Sequence, residues 1–371
     1  MTVSVIRPAA ECGTILAHLP GGGPYRRVLP RIEGPRPDWA SQALWQHFFE
    51  DASPPDALLV DLANAVVLGP GIVRLADDTL VAESLLNCDH LDHAPGMKRG
   101  PDGAWQTLPL PPCQTTLDAP HLLLRQMWDV NYGHWLLELL PRLAVLDAAP
   151  DETPRMLVTG HAGLKIEASM HAVQAQTLAA FGIAPERITR IGSAPVRVER
   201  LLFSVPLTRQ PWLKAPLAIA MLEALAARQP AAPTAPTRLF VRRGAEDSRQ
   251  LLNEAAVADI LAAHGFVAVT PGGLDFAAQL RAFHPATHIV GTLGAGCANL
   301  VFSQRGVRFL GLAPADMQDD FFYDLVSLKA GTYACLHGPG RAPGMNAAFT
   351  IDEQQLRALL HETMPDAPNP P

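Results

Sequence analysis

Residues 288–302 read HIVGTLGAGCANLVF. A short strand-forming run, His288 to Val290, empties into a turn of mostly small residues from Gly291 to Gly296 and then into a helical stretch, Cys297 to Phe302. A strand, a glycine-rich turn and a helix in that order are the repeating piece of a parallel α/β sheet. Outward from it the pattern repeats: strands at 238–242, 266–270 and 307–312 alternate with helices at 253–264 and 275–283. The second half is therefore predicted to be a doubly wound α/β unit. Its glycine-rich turn would let backbone amides at a helix start approach an anion closely, and tight packing is the competing explanation. The spacing is G-x-x-G-x-G rather than the dinucleotide G-x-G-x-x-G, and the turn follows the third strand of its unit, which disfavours a nicotinamide-dependent oxidoreductase.

Arg242, Arg243 and Arg249 fall where the first strand of this unit ends. Guanidiniums at that edge could clamp a diphosphate. A solvated basic loop beside Glu246 and Asp247 is the alternative, and the coincidence with the glycine-rich turn favours phosphate.

In the first half, residues 56–84 hold short apolar runs broken by turn signals (ALLVDL, NAVVLGPG, GIVRLADD, DTLVAES), which predicts small antiparallel strands. Residues 98–120 are rich in proline and polar residues and read as a long irregular connection. A strand at 121–125 then leads into NYGHWLLELLPR, residues 131–142. If that run is helical from about Gly133, His134 and Glu138 share one face. A titratable pair there suits proton transfer; a buried hydrogen bond of His134 with a Glu138–Arg142 salt bridge is the structural alternative. Strand-then-helix places His134 near a strand's carboxyl end, where ligands bind in open α/β sheets. Strands at 155–159, 187–191 and 201–205 and helices at 168–181 and 215–228 continue the alternation. The proline- and alanine-rich QPAAPTAPT at 229–237 suits a stiff connector.

The chain's 371 residues, 48% of them hydrophobic, suffice for two cores, since single cores stop growing near roughly 250–300 residues. The expected organisation is an N-terminal domain at 1–229, with a β-rich lead-in at about 1–120 and an α/β part at 121–229, a linker at 230–237, and a C-terminal domain at 238–371 whose last helix and tail pack back on the N-terminal domain. Net charge is −7, from 29 Lys and Arg against 36 Asp and Glu, with no basic stripe, so nucleic acid is not an expected partner. The N-terminus lacks a basic start followed by an unbroken apolar core, and no stretch approaches 18 uncharged apolar residues. A soluble, cytoplasmic protein is expected. Five cysteines without C-x-x-C spacing give neither a disulfide framework nor a zinc ribbon. Cys88, Asp89, His90, Asp92 and His93 lie too close together in sequence to wrap a tetrahedral ion, and read as a solvated loop. No metal site or cofactor is expected.

Three motifs in series, N-x-G-H-W-L-L-E-x-L-P-R-L at Asn131 to Leu143, V-R-R at Val241 to Arg243 with Asn253 and Glu254, and G-x-x-G-A-G-x-x-N at Gly291 to Asn299, resemble those of the family 61 glycosyltransferases. Phe321, Phe322, Tyr323 and Asp324 are similar to that family's aromatic–aspartate segment. The resemblance spans about residues 131–333; residues 1–120 match loosely. It implies a GT-B-like α/β fold of two Rossmann-like domains facing an interdomain cleft. It further implies inverting, metal-independent transfer from a nucleotide sugar, a UDP-sugar by expectation, to a glycan or lipid-linked glycan acceptor in surface polysaccharide synthesis, with room for peripheral membrane association. Donor binding would fall to Arg242, Arg243, Arg249, Gly294, Ala295, Gly296, Cys297 and Asn299. The acceptor side would fall to Asn131, Tyr132 and Trp135. Glu138 would be the base, with His134 orienting it or the acceptor. Two positions depart from the family's pattern: Leu293 stands where a His is usual, and Gly311 where a Glu is usual, both expected to line the donor pocket. Those departures also fit a catalytically silent nucleotide-sugar-binding or scaffolding partner of a polysaccharide assembly.

Overall fold

The computed structural model describes residues 2–365 apart from 90, 161–164, 210–212, 230–234 and 245–247. The fold is mixed α/β, and the chain divides into two compact units: residues 1–22 with 54–210, and residues 23–53 with 211–371.

In the first unit the strands Ile188–Ile191, Arg155–Thr159, His121–Leu123 and Val196–Ser204 lie side by side and parallel. Ala57–Leu68 then pairs antiparallel with Val196–Ser204, followed by Ile72–Arg74 and Leu80–Val81. The antiparallel lead-in is thus present, anchored by a 12-residue strand whose core-facing Val60, Leu62 and Val67 pack with Leu123, Leu157, Val198 and Phe203. Chain order reverses at His121–Leu123, which has the next strand on one side and the last on the other. Its carboxyl end is therefore a topological switch point, the edge at which open α/β sheets bind ligands. The predicted irregular connection at 98–120 contains Trp105–Thr107 and Thr115–Leu117, strands too short for periodicity to reveal. The latter pairs with Val196–Ser204, about eighty positions on.

The second unit is built on a parallel sheet in the order Val267–Val269, Arg238–Val241, His288–Thr292, Arg308–Pro314, Thr332–Gly338, Pro30–Glu33. Here the order reverses between Arg238–Val241 and His288–Thr292. The predicted doubly wound unit is there, because its central strands are covered on both faces and read as unbroken apolar runs; Phe240, Val290, Leu310, Leu312 and Leu336 form its core.

Two expectations about domain limits need correction. Residues 23–53 belong to the second unit and not to the N-terminal domain, because Pro30–Glu33 supplies the sheet's edge strand, where a proline costs no ladder bond. The crossover between units falls at 210/211, ahead of the segment 229–237, since the helix Pro216–Ala227 belongs with the second unit. Residues 230–234 of the expected linker lie outside the described residues. The last helix, Glu353–Thr363, places its Leu356, Leu359 and Leu360 in the core of the second unit, and the tail beyond residue 365 lies outside the described residues.

The return of residues 23–53 is held by Asp324. This fully buried carboxylate accepts from the Tyr25 hydroxyl at 2.6 Å, the Arg27 Nε at 2.9 Å and the Lys214 backbone N–H at 2.9 Å, with Lys214 Nζ 3.6 Å away. The aromatic–aspartate segment, on the helix Asp320–Leu328, is thus a buried tie within this unit.

Candidate functional site

In the first unit, the chain leaves the switch-point strand, turns at 126–131 and enters a helix capped by Asn131, whose side-chain oxygen accepts from the Gly133 N–H at 2.8 Å. The helix is irregular for a local reason. Pro141 has no N–H for the Leu137 carbonyl four residues back, and that carbonyl accepts instead from the Thr208 hydroxyl at 2.9 Å. The backbone widens to a π-helical turn over Trp135–Leu139 and tightens to 3₁₀ over Leu140–Ala148.

His134 and Glu138 meet on one face, Nδ1 to Oε1, at 2.6 Å. Glu138 is buried, its side chain 1% exposed against 19% for His134. Its second oxygen accepts from Gln126 Nε2, and Gln126 Oε1 in turn accepts from Arg142 Nη2. Arg142 can only donate, so Gln126 turns its carbonyl to Arg142 and its N–H to Glu138 Oε2, which accepts. Arg142 does not pair with the Glu138 carboxylate as the structural alternative had it; its Nε reaches the Glu138 carbonyl at 3.3 Å. Burial pulls the Arg142 guanidinium down to about 10, against the opposing pull of Glu138.

Glu138 is enclosed and engaged at both oxygens, and His134 is the more exposed of the pair. Trp135 is fully buried with its indole N–H on Thr177 Oγ1 at 2.9 Å, so it packs the helix and does not face an acceptor. Tyr132 is half-buried and Asn131 exposed. Gln126 was not legible: nothing in its loop marks a polar side chain whose partners lie 12 and 16 positions later.

In the second unit, Arg243 and the turn at 293–296 flank the switch point. Arg243 Nη1 donates to the Leu293 carbonyl at 3.2 Å, and its guanidinium occupies the space that any side chain at Gly294 would need. Arg243 Nε and Thr292 Oγ1 are buried without a hydrogen-bond partner among the described residues, which is uncommon unless a ligand or water completes the site. Ala295 and Gly296 are half-buried beside them. Arg249, with a left-handed backbone at φ 59°, places Nη1 3.3 Å from Met317 Sδ.

Three expected donor residues are otherwise engaged. Arg242 points to Glu254, Nε to Oε1 2.8 Å, and forms an exposed ion pair. Cys297 is buried with its thiol directed at the Thr292 carbonyl, 3.4 Å, its backbone N–H on Gly294 O, and its pKa pushed by burial to about 12. Asn299 is fully buried and donates to Gln279 Oε1 at 2.8 Å and Gly296 O at 3.1 Å, holding the turn from behind. The two unusual positions touch: a Cβ at Gly311 would stand 2.8 Å from Leu293 Cδ2, and Leu293 is fully buried. They form one core contact. Glu246 and Asp247 lie outside the described residues.

Among the described residues no group of three or more His, Cys, Asp or Glu is placed to hold a metal ion. Of the sequence cluster, Cys88 is buried, Asp89 faces Arg99 at 3.5 Å, and His90 lies outside the described residues. No described helix is long and apolar enough to cross a membrane, and the described cysteines are free.

Residues 132–310 match the model of the Glycosyltransferase 61 family. Over that segment the chain is similar to the family 61 glycosyltransferases. The match begins at the helix of His134 and Glu138, includes Arg243 and the glycine-rich turn, and ends at the strand before Gly311. No curated protein matches the chain. A glycosyltransferase takes a sugar donor and an acceptor, and those are the two ligand classes the sites must serve.

Proposed function

We propose that this protein transfers a sugar from a nucleotide-sugar donor to a glycan hydroxyl with inversion and without a metal, His134 acting as the base. The observation that carries the reading is the 2.6 Å contact between His134 Nδ1 and the buried Glu138 carboxylate. It holds Nε2 as the acceptor of a proton, as in hydrolases where a buried carboxylate fixes the tautomer of a histidine. The acceptor oxygen loses its proton to Nε2 as it attacks the anomeric carbon, and the bond from that carbon to the diphosphate oxygen breaks on the opposite side. The imidazolium that forms is stabilised by Glu138, itself held by Gln126 and Arg142. The leaving diphosphate needs positive charge and N–H donors, which Arg243 and the turn at 294–296 supply.

The proposal includes a GT-B architecture, with the donor taken by the second unit and the acceptor by the first, a UDP-sugar as donor, no cofactor, a cytoplasmic setting with peripheral membrane association, and a glycan or lipid-linked glycan acceptor in surface polysaccharide assembly. A second reading, a silent nucleotide-sugar-binding partner, is favoured by one observation, the apolar contact of Leu293 with Gly311. Incubation with a panel of nucleotide sugars and pyranoside acceptors separates the two. Release of nucleoside diphosphate with a new glycoside supports transfer; tight nucleotide binding without release supports the silent partner.

A further inference from the structure

Trp128 lies in the turn between the strand His121–Leu123 and the helix that carries His134. Its backbone is left-handed, φ 66°, a conformation cheap for glycine or asparagine and strained for a bulky side chain. The strain is imposed from both sides. Arg125 is buried and donates to Asp129 at 2.9 Å and to the Gly192 carbonyl at 2.7 Å, Gln126 is locked to Glu138 and Arg142, and the turn closes with Asn131 N–H on the Trp128 carbonyl at 2.9 Å. With the residues before and after pinned by buried side chains, Trp128 takes up the turn. The residue nevertheless stays 36% exposed, its indole lying against the His134 ring at a centroid distance of 5.1 Å and a tilt of 41°. On the same turn, Asn131 spends its side-chain oxygen on the helix cap, which leaves its amide N–H groups to a ligand.

We infer that Trp128 is a stacking platform for a pyranose ring of the acceptor, presenting its hydroxyl to His134 with Asn131 as a polar partner. This rests on the transferase reading above. An indole offers a flat apolar surface of the kind that aromatic side chains bring to binding sites. It suits a sugar with one continuous face formed by axial H1, H3 and H5, that is, a β-galacto- or β-gluco-configured pyranoside, over an α-glycoside whose axial O1 interrupts that face. Trp128 is a specificity-determining residue in this account, and the base remains His134.

Saturation-transfer NMR on the full chain with methyl β-D-galactopyranoside and methyl α-D-mannopyranoside tests it directly. Transfer should be strongest to H1, H3 and H5 of the galactoside, absent in Trp128→Gly and retained in Trp128→Phe. Trp128→Gly also relieves the left-handed strain, so its melting temperature should hold or rise, and misfolding cannot mimic the loss. In turnover, the KM for the acceptor should rise roughly tenfold, about the worth of one aromatic contact, while the affinity for uridine diphosphate stays put. Equal NMR transfer in wild type and Trp128→Gly, or none in wild type, overturns the platform. If in that case His134→Ala still abolishes glycosyl transfer, the catalytic reading stands without the platform. If galactoside binding needs Trp128 but His134→Ala leaves transfer intact, the platform stands and the catalytic reading fails.

Discussion

Leu293 packs its Cδ2 into the space over Gly311, 2.8 Å from where a Cβ would be built. Two departures from the usual family pattern are therefore one packing event, with the large apolar residue accommodated by the smallest. Gly311→Ala in the native background should cost about 1–3 kcal/mol by overpacking, and Gly311→Glu more, because it also buries a carboxylate. The double variant Leu293→His with Gly311→Glu should be less destabilised than the sum of its singles, since residues in contact are non-additive. Thermal melts of the four proteins check this; strict additivity would show that the two positions do not touch.

Arg243 and Arg242 are neighbours with different fates. Arg243→Ala should weaken uridine diphosphate binding by about 1.5–3 kcal/mol, the worth of a charged hydrogen bond. Arg242→Ala should leave it nearly unchanged, because that guanidinium is committed to Glu254. Titration calorimetry decides, run with EDTA and with magnesium. A binding signal that needs magnesium would contradict the metal-independent donor site.

Asp324 neutralises two cations that are themselves buried, Arg27 and Lys214. Asp324→Ala should cost about 3–5 kcal/mol, as removal of one partner of a buried charge cluster does, and amide exchange should accelerate across residues 23–53 ahead of the rest. Uniform protection with an unchanged melt would mean that the tie carries no stability.

Asp319 and Asp320 are each pushed from 3.8 up to about 6, mainly by burial; Lys214 pulls both down, Arg249 acts on Asp319 and His47 on Asp320, and the two carboxylates oppose one another. A carboxyl whose folded value lies above its unfolded one contributes stability below about 4 that is lost as pH rises through about 6. Asp319 caps the helix Asp320–Leu328 and accepts from Tyr333. Asp320 has one buried oxygen without a hydrogen-bond partner among the described residues. Asp320→Asn should therefore melt a few degrees above wild type at pH 7 and level with it at pH 4. A variant less stable at pH 7 would reverse the sign of this account.

What was legible in the sequence followed from periodicity. The strands of the second unit announce themselves as short apolar runs because both faces are covered, and His134 with Glu138 could be paired because helical spacing fixes which residues share a face. Long-range contacts left no such trace. Pro30–Glu33 has too few residues to show alternation, and its partner strand lies some three hundred positions away. Gln126 orients Glu138 from a loop, and Glu254 removes Arg242 from the donor set from the next helix. Position within the motifs made Cys297, Asn299 and Trp135 candidates; all three side chains are buried.

The central claim is the division of labour between His134 and Glu138, and chemical rescue tests it most directly. His134→Ala and Glu138→Gln should each cut transfer roughly 10²- to 10⁴-fold, and the double variant should be little worse than the poorer single, as for residues that act as one unit. Added imidazole should restore transfer to His134→Ala, by supplying the missing base at the partly exposed position, and should leave Glu138→Ala unrestored. Rescue of Glu138→Ala by formate or azide, with His134→Ala near full rate, would contradict the account and make the buried carboxylate the base.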